Sequence, residues 1–164
     1  MNNLRKERHD AMKMKTRIFG EVDIDESKVI RFVNGIIGFP DLTEFALIHD
    51  EEKGSQTSVR WLQSLQEEGF AMPVIDPLLV IPDYNPQVED ELLKPVGSLD
   101  DDQLLVLVTL TVPRDLTKMT VNLKAPIVVN AAKRKACQIV AEGDEYVVKY
   151  PIYGILQASK KAGE

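Results

Sequence analysis

Residues with catalytic or metal-binding chemistry are few in this chain and stand far apart. The chain has two histidines, His9 and His49, and one cysteine, Cys137. A metal site or a catalytic triad needs several such groups that converge on one point. His9 precedes the patterned part of the chain, and His49 has only Asp50 beside it. We therefore expect no metal site and no catalytic residue.

Nucleophile and phosphate motifs are equally sparse. Cys137 alternates with Ile139, a spacing typical of a small core residue on a strand. Gly35 and Gly38 lack the G-x-G-x-x-G spacing, and the chain has no Walker-type lysine motif. The carboxylates of Asp100–Asp102 stand in a polar context where nothing would shift their pKa values. The sequence thus predicts a protein that is not an enzyme and binds no cofactor.

Composition restricts the remaining classes of function. The length of 164 residues fits one domain, and 26 acidic against 20 basic residues give a net charge of -6. Nucleic-acid binding relies on clustered Lys and Arg, so we expect no direct contact with RNA or DNA. The most apolar run, 104–112, is far shorter than the ~20 residues of a membrane span. A single cysteine and the absence of a secretory signal pattern predict a cytoplasmic protein.

Acidic residues concentrate in the stretch 83–102, which includes Lys94 as its one base. Such a stretch can attract a basic partner over long range if it is exposed on one side. The alternative is a solvated helix and loop that serve solubility. The predicted steering patch consists of Glu89, Asp90, Glu91, Asp100, Asp101 and Asp102.

Period-2 alternation dominates the rest of the chain and predicts half-buried strands. Five apolar residues between positions 12 and 24 fall on even positions, which predicts one long strand bent or bulged at Gly20: Met12, Met14, Ile18, Val22 and Ile24. The fold class predicted is mainly β: a small antiparallel β-barrel-like single domain with one or two short helices. The further strands are predicted at 29–33, 45–48, 59–65, 70–75, 104–112, 119–123, 127–130, 136–140 and 146–150.

Three segments carry finer predictions. Leu104–Val112 is apolar on both faces, as in a central strand covered on both sides. The runs 127–130 and 136–140 predict a hairpin with a basic tip at 133–135. Asn85 as N-cap and Pro86 at the first helical position predict a helix that ends at Pro95 and Gly97.

The ends of the chain are predicted to lie outside the domain. We assign residues 1–13 to an N-terminal arm, 14–158 to the domain and 159–164 to a C-terminal tail. The run 155–161 is predicted to be a short helix or frayed coil.

Several turns between the strands have an unusual composition. The segment 32–40 sets two glycines among apolar residues, and prolines interrupt the apolar segments 73–77 and 119–130. Because proline cannot donate to a strand ladder, these prolines predict strand edges or bends, where unpaired backbone can meet another chain.

Taken together, these segments resemble the FliW family of flagellar assembly factors, over roughly residues 14–152. No single motif decides the match, but the order and spacing of the segments are specific. The matching segments are Lys15–Glu21, Phe32–Phe39 with Asn34-Gly-Ile-Ile-Gly38, Trp61–Ser64, Phe70–Pro77, Val112-Pro113 and Met119–Asn130.

The resemblance implies a non-enzymatic cytoplasmic protein with two protein partners. The resemblance implies that the protein antagonises the translational regulator CsrA by binding CsrA at a site away from the RNA-binding surface of CsrA. The resemblance also implies that the protein binds flagellin, so that free flagellin captures the antagonist and releases CsrA to repress flagellin mRNA translation. We expect this chain to act in this way and to be monomeric alone.

Contact residues are predicted where the prolines break the strands. The apolar residues of the run 119–123 occupy one face, which leaves Asn122 and Lys124 on the opposite face. Ile127 follows a proline, so it is predicted to be either an exposed apolar anchor or a core residue of a strand. The predicted partner-binding residues are Asp76, Pro77, Asn122, Lys124, Ala125, Pro126 and Ile127.

Two other classes of function stay open. The first is a flagellin-dedicated chaperone without direct control of CsrA. The second is a small-molecule-binding barrel, which is disfavoured because the aromatic residues fall on the apolar phase of the strands and no convergent polar set is visible. We therefore expect no small-molecule substrate.

Overall fold

The computed structural model of the protein describes residues 11–49, 59–97 and 104–162. His9, Asp50 and the predicted acids Asp100–Asp102 lie outside the described residues. The strands are β1 Ala11–Thr16, β2 Gly20–Asp25, β3 Ile30–Phe32, β4 Glu44–His49, β5 Arg60–Ser64, β6 Ala71–Ile75, β7 Leu104–Thr111, β8 Thr120–Val121, β9 Ile127–Asn130, β10 Lys135–Gln138 and β11 Tyr150–Pro151. The helices are α1 Asp90–Leu93 and α2 Tyr153–Ala162.

Seven of these strands close into a barrel in the order β7-β6-β5-β4-β3-β10-β9, with β9 pairing back to β7. The neighbours are antiparallel except β3 and β10, which run parallel. Beyond the part of β7 that pairs with β9, the C-terminal end of β7 pairs with β8, and β8 pairs with β11. The predicted fold class is confirmed.

The barrel interior is filled by side chains. Phe32, Phe45, Leu62, Val74 and Ile127 are completely buried in one cluster. The rings of Phe32 and Phe45 meet edge to face with centroids 5.2 Å apart, a favoured aromatic geometry. These aromatic side chains are therefore core residues, as their apolar phase predicted.

Strand β7 is covered on both faces, as predicted. Leu107 points into the barrel cluster, whereas Val108 and Leu110 belong to a second cluster with Tyr84 and Tyr146. Alternate residues of a strand face opposite sides, so β7 separates the two cores. It is the element on which the surrounding segments are assembled.

The predicted long strand from Met12 to Ile24 is wrong, because it is a hairpin of β1 and β2. Thr16 pairs with Gly20, and the Thr16 hydroxyl accepts from Phe19 N–H at 2.9 Å and donates to the Gly20 carbonyl at 2.9 Å. Gly20 takes a φ of 68° in the turn. In this register even residues pair with even residues, so a hairpin preserves the alternation as well as a straight strand does.

The predicted helix exists but starts later than Asn85. Residues 85–88 are not helical because their backbone is used elsewhere. Asn85 N–H donates to the Tyr146 hydroxyl at 2.9 Å, and the Gln87 carbonyl accepts from Glu142 N–H at 2.7 Å. Helix α1 begins at Asp90 and passes into a 3-10 turn over Lys94–Val96, after which Gly97 has a φ of 80°. The predicted end is confirmed.

Regular structure extends towards both ends of the described residues. Strand β1 begins at Ala11, so residues 11–13 of the predicted N-terminal arm are the start of the first strand. At the other end, α2 continues to Ala162, so most of the predicted tail is helical. Ile155 and Leu156 of α2 pack against the second core, which explains why the helix forms.

The hairpin and proline predictions hold for the described strands. Strands β9 and β10 pair antiparallel, with Lys135 opposite Asn130. The ladder of β6 with β7 includes Val74 and Ile75 only, and Pro73 precedes it directly, which is the expected effect of a residue without a backbone donor. Among the described residues, no helix is long and apolar enough to cross a membrane.

Candidate partner-binding surface

The predicted contact segment forms a bend between two strands that share one neighbour. Strands β8 and β9 both pair with β7: Leu110 lies opposite Val121 and Leu107 opposite Ile127. The segment 122–126 is longer than the part of β7 that it passes, so it has to leave the ladder. We call residues 122–126 the bend.

The bend is held by hydrogen bonds from its own side chains and from the C-terminal segment. Asn122 Oδ1 accepts from Lys124 N–H at 3.0 Å and from Ala125 N–H at 3.1 Å. Leu123 N–H donates to the Val147 carbonyl at 3.0 Å, and the Lys124 carbonyl accepts from Ala141 N–H at 2.7 Å. The bend is therefore a fixed backbone feature.

The structure separates the predicted contact residues of the bend into two groups. Asn122 and Lys124 are partly exposed, on the face that the apolar phase predicted, and Lys124 Nζ donates to the Gly143 carbonyl. Ala125 and Pro126 are buried. Ile127 is 0% exposed inside the barrel, so the prediction of an exposed anchor is wrong and the core alternative is right. Its β9 phase directs it inward because β9 closes the barrel.

The second predicted segment, Asp76 and Pro77, presents different residues from those expected. Asp76 Oδ1 accepts from Leu78 N–H at 2.9 Å and caps a 3-10 turn over Pro77–Leu79. Pro77 is buried, whereas Leu78 and Leu79 are each 52% exposed. Sequence reasoning missed these two leucines, although an apolar pair directly after a capped proline was a signal.

The two segments lie on opposite sides of β7, next to the same part of that strand. Ile75 pairs with Val108 on one side of β7, and Asn122 N–H donates to the Thr109 carbonyl on the other. Since neighbouring strands are about 4.8 Å apart, the two backbone segments lie about 10 Å apart there. The structure thus brings the two predicted segments together across one strand.

The acidic residues on α1 are joined by a loop that is distant in sequence. The bond from Glu142 N–H to the Gln87 carbonyl, at 2.7 Å, brings the loop 142–145 beside the residues that lead into α1. Glu91 pairs with Lys94 at 3.0 Å. We call the exposed acids of both segments the acidic rim: Glu89, Asp90, Glu91, Glu142, Asp144 and Glu145. The prediction included only the first three, because contact between the segments is not visible in a sequence.

An apolar groove lies between the turn 34–40, α1 and β10, with a volume of about 300 Å³. Its apolar walls include Ile36, Ile37, Leu92, Cys137 and Ile139. Ile37 is 52% exposed and Leu92 is 41% exposed, so the groove opens to the surface. We call this feature the apolar groove.

One glutamine connects the groove to the bend. Gln138 Oε1 accepts from Ile37 N–H at 3.0 Å, and Gln138 Nε2 donates to the Ala125 carbonyl at 3.1 Å. Gln138 therefore links the wall of the groove to the backbone of the bend.

The cysteine of this surface is a poor nucleophile. Burial raises the pKa of the Cys137 thiol, which disfavours the nucleophilic thiolate. The side chain is 5% exposed and packs with Val128 and Ile139, as predicted for a core residue. Among the described residues, no group of three or more His, Cys, Asp or Glu could hold a metal ion.

Comparison with known proteins decides the family. The FliW protein family model matches residues 13–152. The chain belongs to the FliW family. A flagellar assembly factor FliW from Lachnoclostridium phytofermentans is 46% identical over 155 residues, covering 93% of this chain and 99% of that relative. One from Lachnospira eligens is 49% identical over 147 residues, covering 89% and 97%.

The structural comparison agrees with the sequence comparison. A crystal structure of the flagellar assembly factor FliW superposes with a TM-score of 0.79 at 29% identity, covering 87% of this chain and 97% of that chain. The resemblance to the FliW family is thus confirmed.

Proposed function

We propose that this protein is a non-enzymatic flagellar assembly factor of the cytoplasm that acts as a partner switch. It binds the translational regulator CsrA away from its RNA surface, antagonises it allosterically and relieves repression of flagellin mRNA translation. Flagellin binding sequesters the protein and releases CsrA. The observation that carries the proposal is membership of the FliW family across nearly the whole described fold.

The charge and the surface of the protein fit such a role. A net charge of -6 is unsuited to holding RNA, so an effect on an RNA-bound regulator has to pass through protein contacts. Leu78 and Leu79 on one side of β7, and the bend on the other, offer apolar and polar contacts of the kind that protein interfaces use.

The alternative is a flagellin-dedicated chaperone without direct control of CsrA. It is favoured by the name that the relatives carry, flagellar assembly factor, which refers to assembly and not to translation. The two functions differ in whether isolated CsrA is bound.

Calorimetric titration of the purified protein with CsrA alone and with flagellin monomer alone separates the two. The partner switch predicts binding to both, and the chaperone predicts binding to flagellin only. The Leu78→Ser, Leu79→Ser double variant is expected to weaken at least one of these affinities, whereas Ile18→Ser, another exposed apolar residue, serves as the matched control. Failure of the protein to bind either partner would contradict both functions.

A further inference from the structure

The apolar groove and the acidic rim occupy neighbouring parts of one surface. Helix α1 connects them, because Leu92 lines the groove while Asp90 and Glu89 lie two and three residues before it in the chain. Leu92 N–H donates to the Glu89 carbonyl at 3.0 Å, so the backbone of the first acid of the rim lies within one helical turn of Leu92. A molecule that enters the groove beside Leu92 therefore meets carboxylates at its edge.

We propose that the groove binds a short protein segment that carries apolar side chains flanked by Lys or Arg. The groove supplies contact for one or two apolar side chains, and the rim supplies the opposite charge for the basic ones. This inference rests on the proposed function only in that the segment belongs to a protein partner.

The local charge balance supports a basic occupant. The rim has six carboxylates, and within the described part of the chain Glu91 forms an ion pair with Lys94. Lys124, which reaches the loop 142–145, donates from its ammonium group to the Gly143 carbonyl. A bound Lys or Arg would meet an excess of negative charge, whereas an acidic segment would be repelled.

The walls of the groove are preformed. Gly35 has a φ of 70°, and a Cβ at this position would lie 2.5 Å from the Pro40 carbonyl oxygen. Ile36 and Phe39 exchange backbone hydrogen bonds of 3.2 and 2.7 Å across the turn. Together with the bond from Ile37 N–H to Gln138, these contacts hold Ile37 at the mouth, so little ordering entropy opposes binding.

A second copy of this chain fits the groove less well than a basic segment. Two acidic rims facing each other would repel. A groove of about 300 Å³ also accepts only a few side chains, whereas stable protein interfaces bury roughly 1,200–2,000 Å² in total. The structure therefore favours a short segment of another protein.

Fluorescence anisotropy with the full-length protein tests the inference. The probe is a labelled synthetic peptide of leucine and lysine, compared with a leucine–glutamate peptide and a serine–lysine peptide of the same length. Only the leucine–lysine peptide is expected to bind. Equal binding of the leucine–glutamate or serine–lysine peptide, or no binding of any peptide, would overturn the proposal.

Matched variants locate the bound peptide. Ile37→Ser is expected to weaken the affinity about tenfold through loss of apolar contact, whereas Leu116→Ser, equally exposed at 52% but outside the groove, leaves it unchanged. The Glu89→Gln, Asp90→Asn double variant is expected to weaken it about tenfold at low salt, with the effect lost near 1 M salt, where screening acts within about 3 Å. The Glu67→Gln, Glu68→Gln double variant is the charge control.

Outcomes that contradict the inference are distinct from those that contradict the proposed function. Equal affinity of Ile37→Ser and Leu116→Ser would place the peptide elsewhere. Concentration-dependent dimers in sedimentation, abolished by Ile37→Ser, would identify a second copy as the occupant. Either result overturns the inference even if the wild-type protein binds CsrA and flagellin. If the groove binds the peptide but the protein binds neither CsrA nor flagellin, only the proposed function is overturned.

Discussion

Asn122 shapes the bend through one side-chain atom. Its Oδ1 accepts from the N–H groups of Lys124 and Ala125, which satisfies two donors at the point where the chain leaves β7. The residue chosen as a contact candidate from its exposed phase thus has a structural role as well. A partner that contacts Asn122 would meet a backbone already fixed.

We predict that Asn122→Ala lowers the free energy of unfolding by about 1–3 kcal/mol, because two partly buried donors lose their acceptor. Asn122→Asp keeps an oxygen at this position and is expected to stay near wild type. Urea denaturation of the three proteins measures the difference. Equal stability of Asn122→Ala and wild type would show that the turn does not depend on this side chain.

Tyr84 gives the protein a defined sensitivity to alkali. Its hydroxyl donates to the Leu123 carbonyl at 2.7 Å, and burial, with a smaller effect of Tyr146, raises its pKa well above the usual 10.0. Above about pH 10 the unfolded chain releases a proton that the folded protein retains. The stabilisation is therefore complete below that pH and declines as the pH rises.

We predict that Tyr84→Phe reduces the loss of unfolding free energy between pH 9 and pH 11, a range centred on the usual tyrosine pKa of about 10. Tyr153→Phe is the control and is expected to keep the wild-type slope. Chemical denaturation at each pH gives the measurement. The same slope in Tyr84→Phe and wild type would contradict the assignment to Tyr84.

At the scale of elements, the turn 34–40 depends on two glycines in different ways. Gly35 and Gly38 both have positive φ values, 70° and 90°, but only at Gly35 would a Cβ meet the backbone of Pro40. Gly38→Ala is expected to cost about 1–2 kcal/mol from backbone strain alone.

We predict that Gly35→Ala is clearly more destabilising than Gly38→Ala, since the clash adds to a similar backbone strain. Thermal unfolding of both variants tests this order. Gly35→Ala should also weaken peptide binding in the groove. If Gly38→Ala were the more destabilising of the two variants, the described structure of the turn would be contradicted.

The elements also show which features a sequence can predict. Most of the strands, the hairpin of β9 and β10 and the end of α1 follow from alternation, turn residues and Gly97. The predicted strand 146–150 is wrong, because only Tyr150–Pro151 forms a strand there. Alternation cannot distinguish a bent strand from a hairpin when the loop preserves the phase, as between Thr16 and Gly20. The predicted start of α1 was wrong because Tyr146 and Glu142, which are distant in sequence, form hydrogen bonds with residues 85–87.

The candidate surface was predictable in part. Proline and phase located the bend and the segment at Asp76, but neither showed that Ile127 closes the barrel or that Leu78 and Leu79 are exposed. The apolar groove and the loop acids of the rim were missed altogether. They arise from contacts of segments 34–40, 87–92 and 137–145, and such long-range contacts leave no local pattern.

At the scale of the whole molecule, charge is expected to govern how fast the protein meets a basic partner. The net charge of -6 and the acidic rim act over the screening length of about 10 Å at 0.1 M salt. We predict that the association rate with CsrA falls as salt rises, with a smaller change in dissociation rate. Stopped-flow mixing measures both rates, and a salt-insensitive association rate would remove the steering role.

The partner switch itself is tested most directly by release of RNA. Purified CsrA is first bound to labelled flagellin leader RNA, the protein is titrated in, and flagellin monomer is then added while RNA binding is followed. We predict that the protein releases the RNA and that flagellin restores it. Binding of flagellin without any release of RNA from CsrA would contradict the switch and leave the chaperone function in its place.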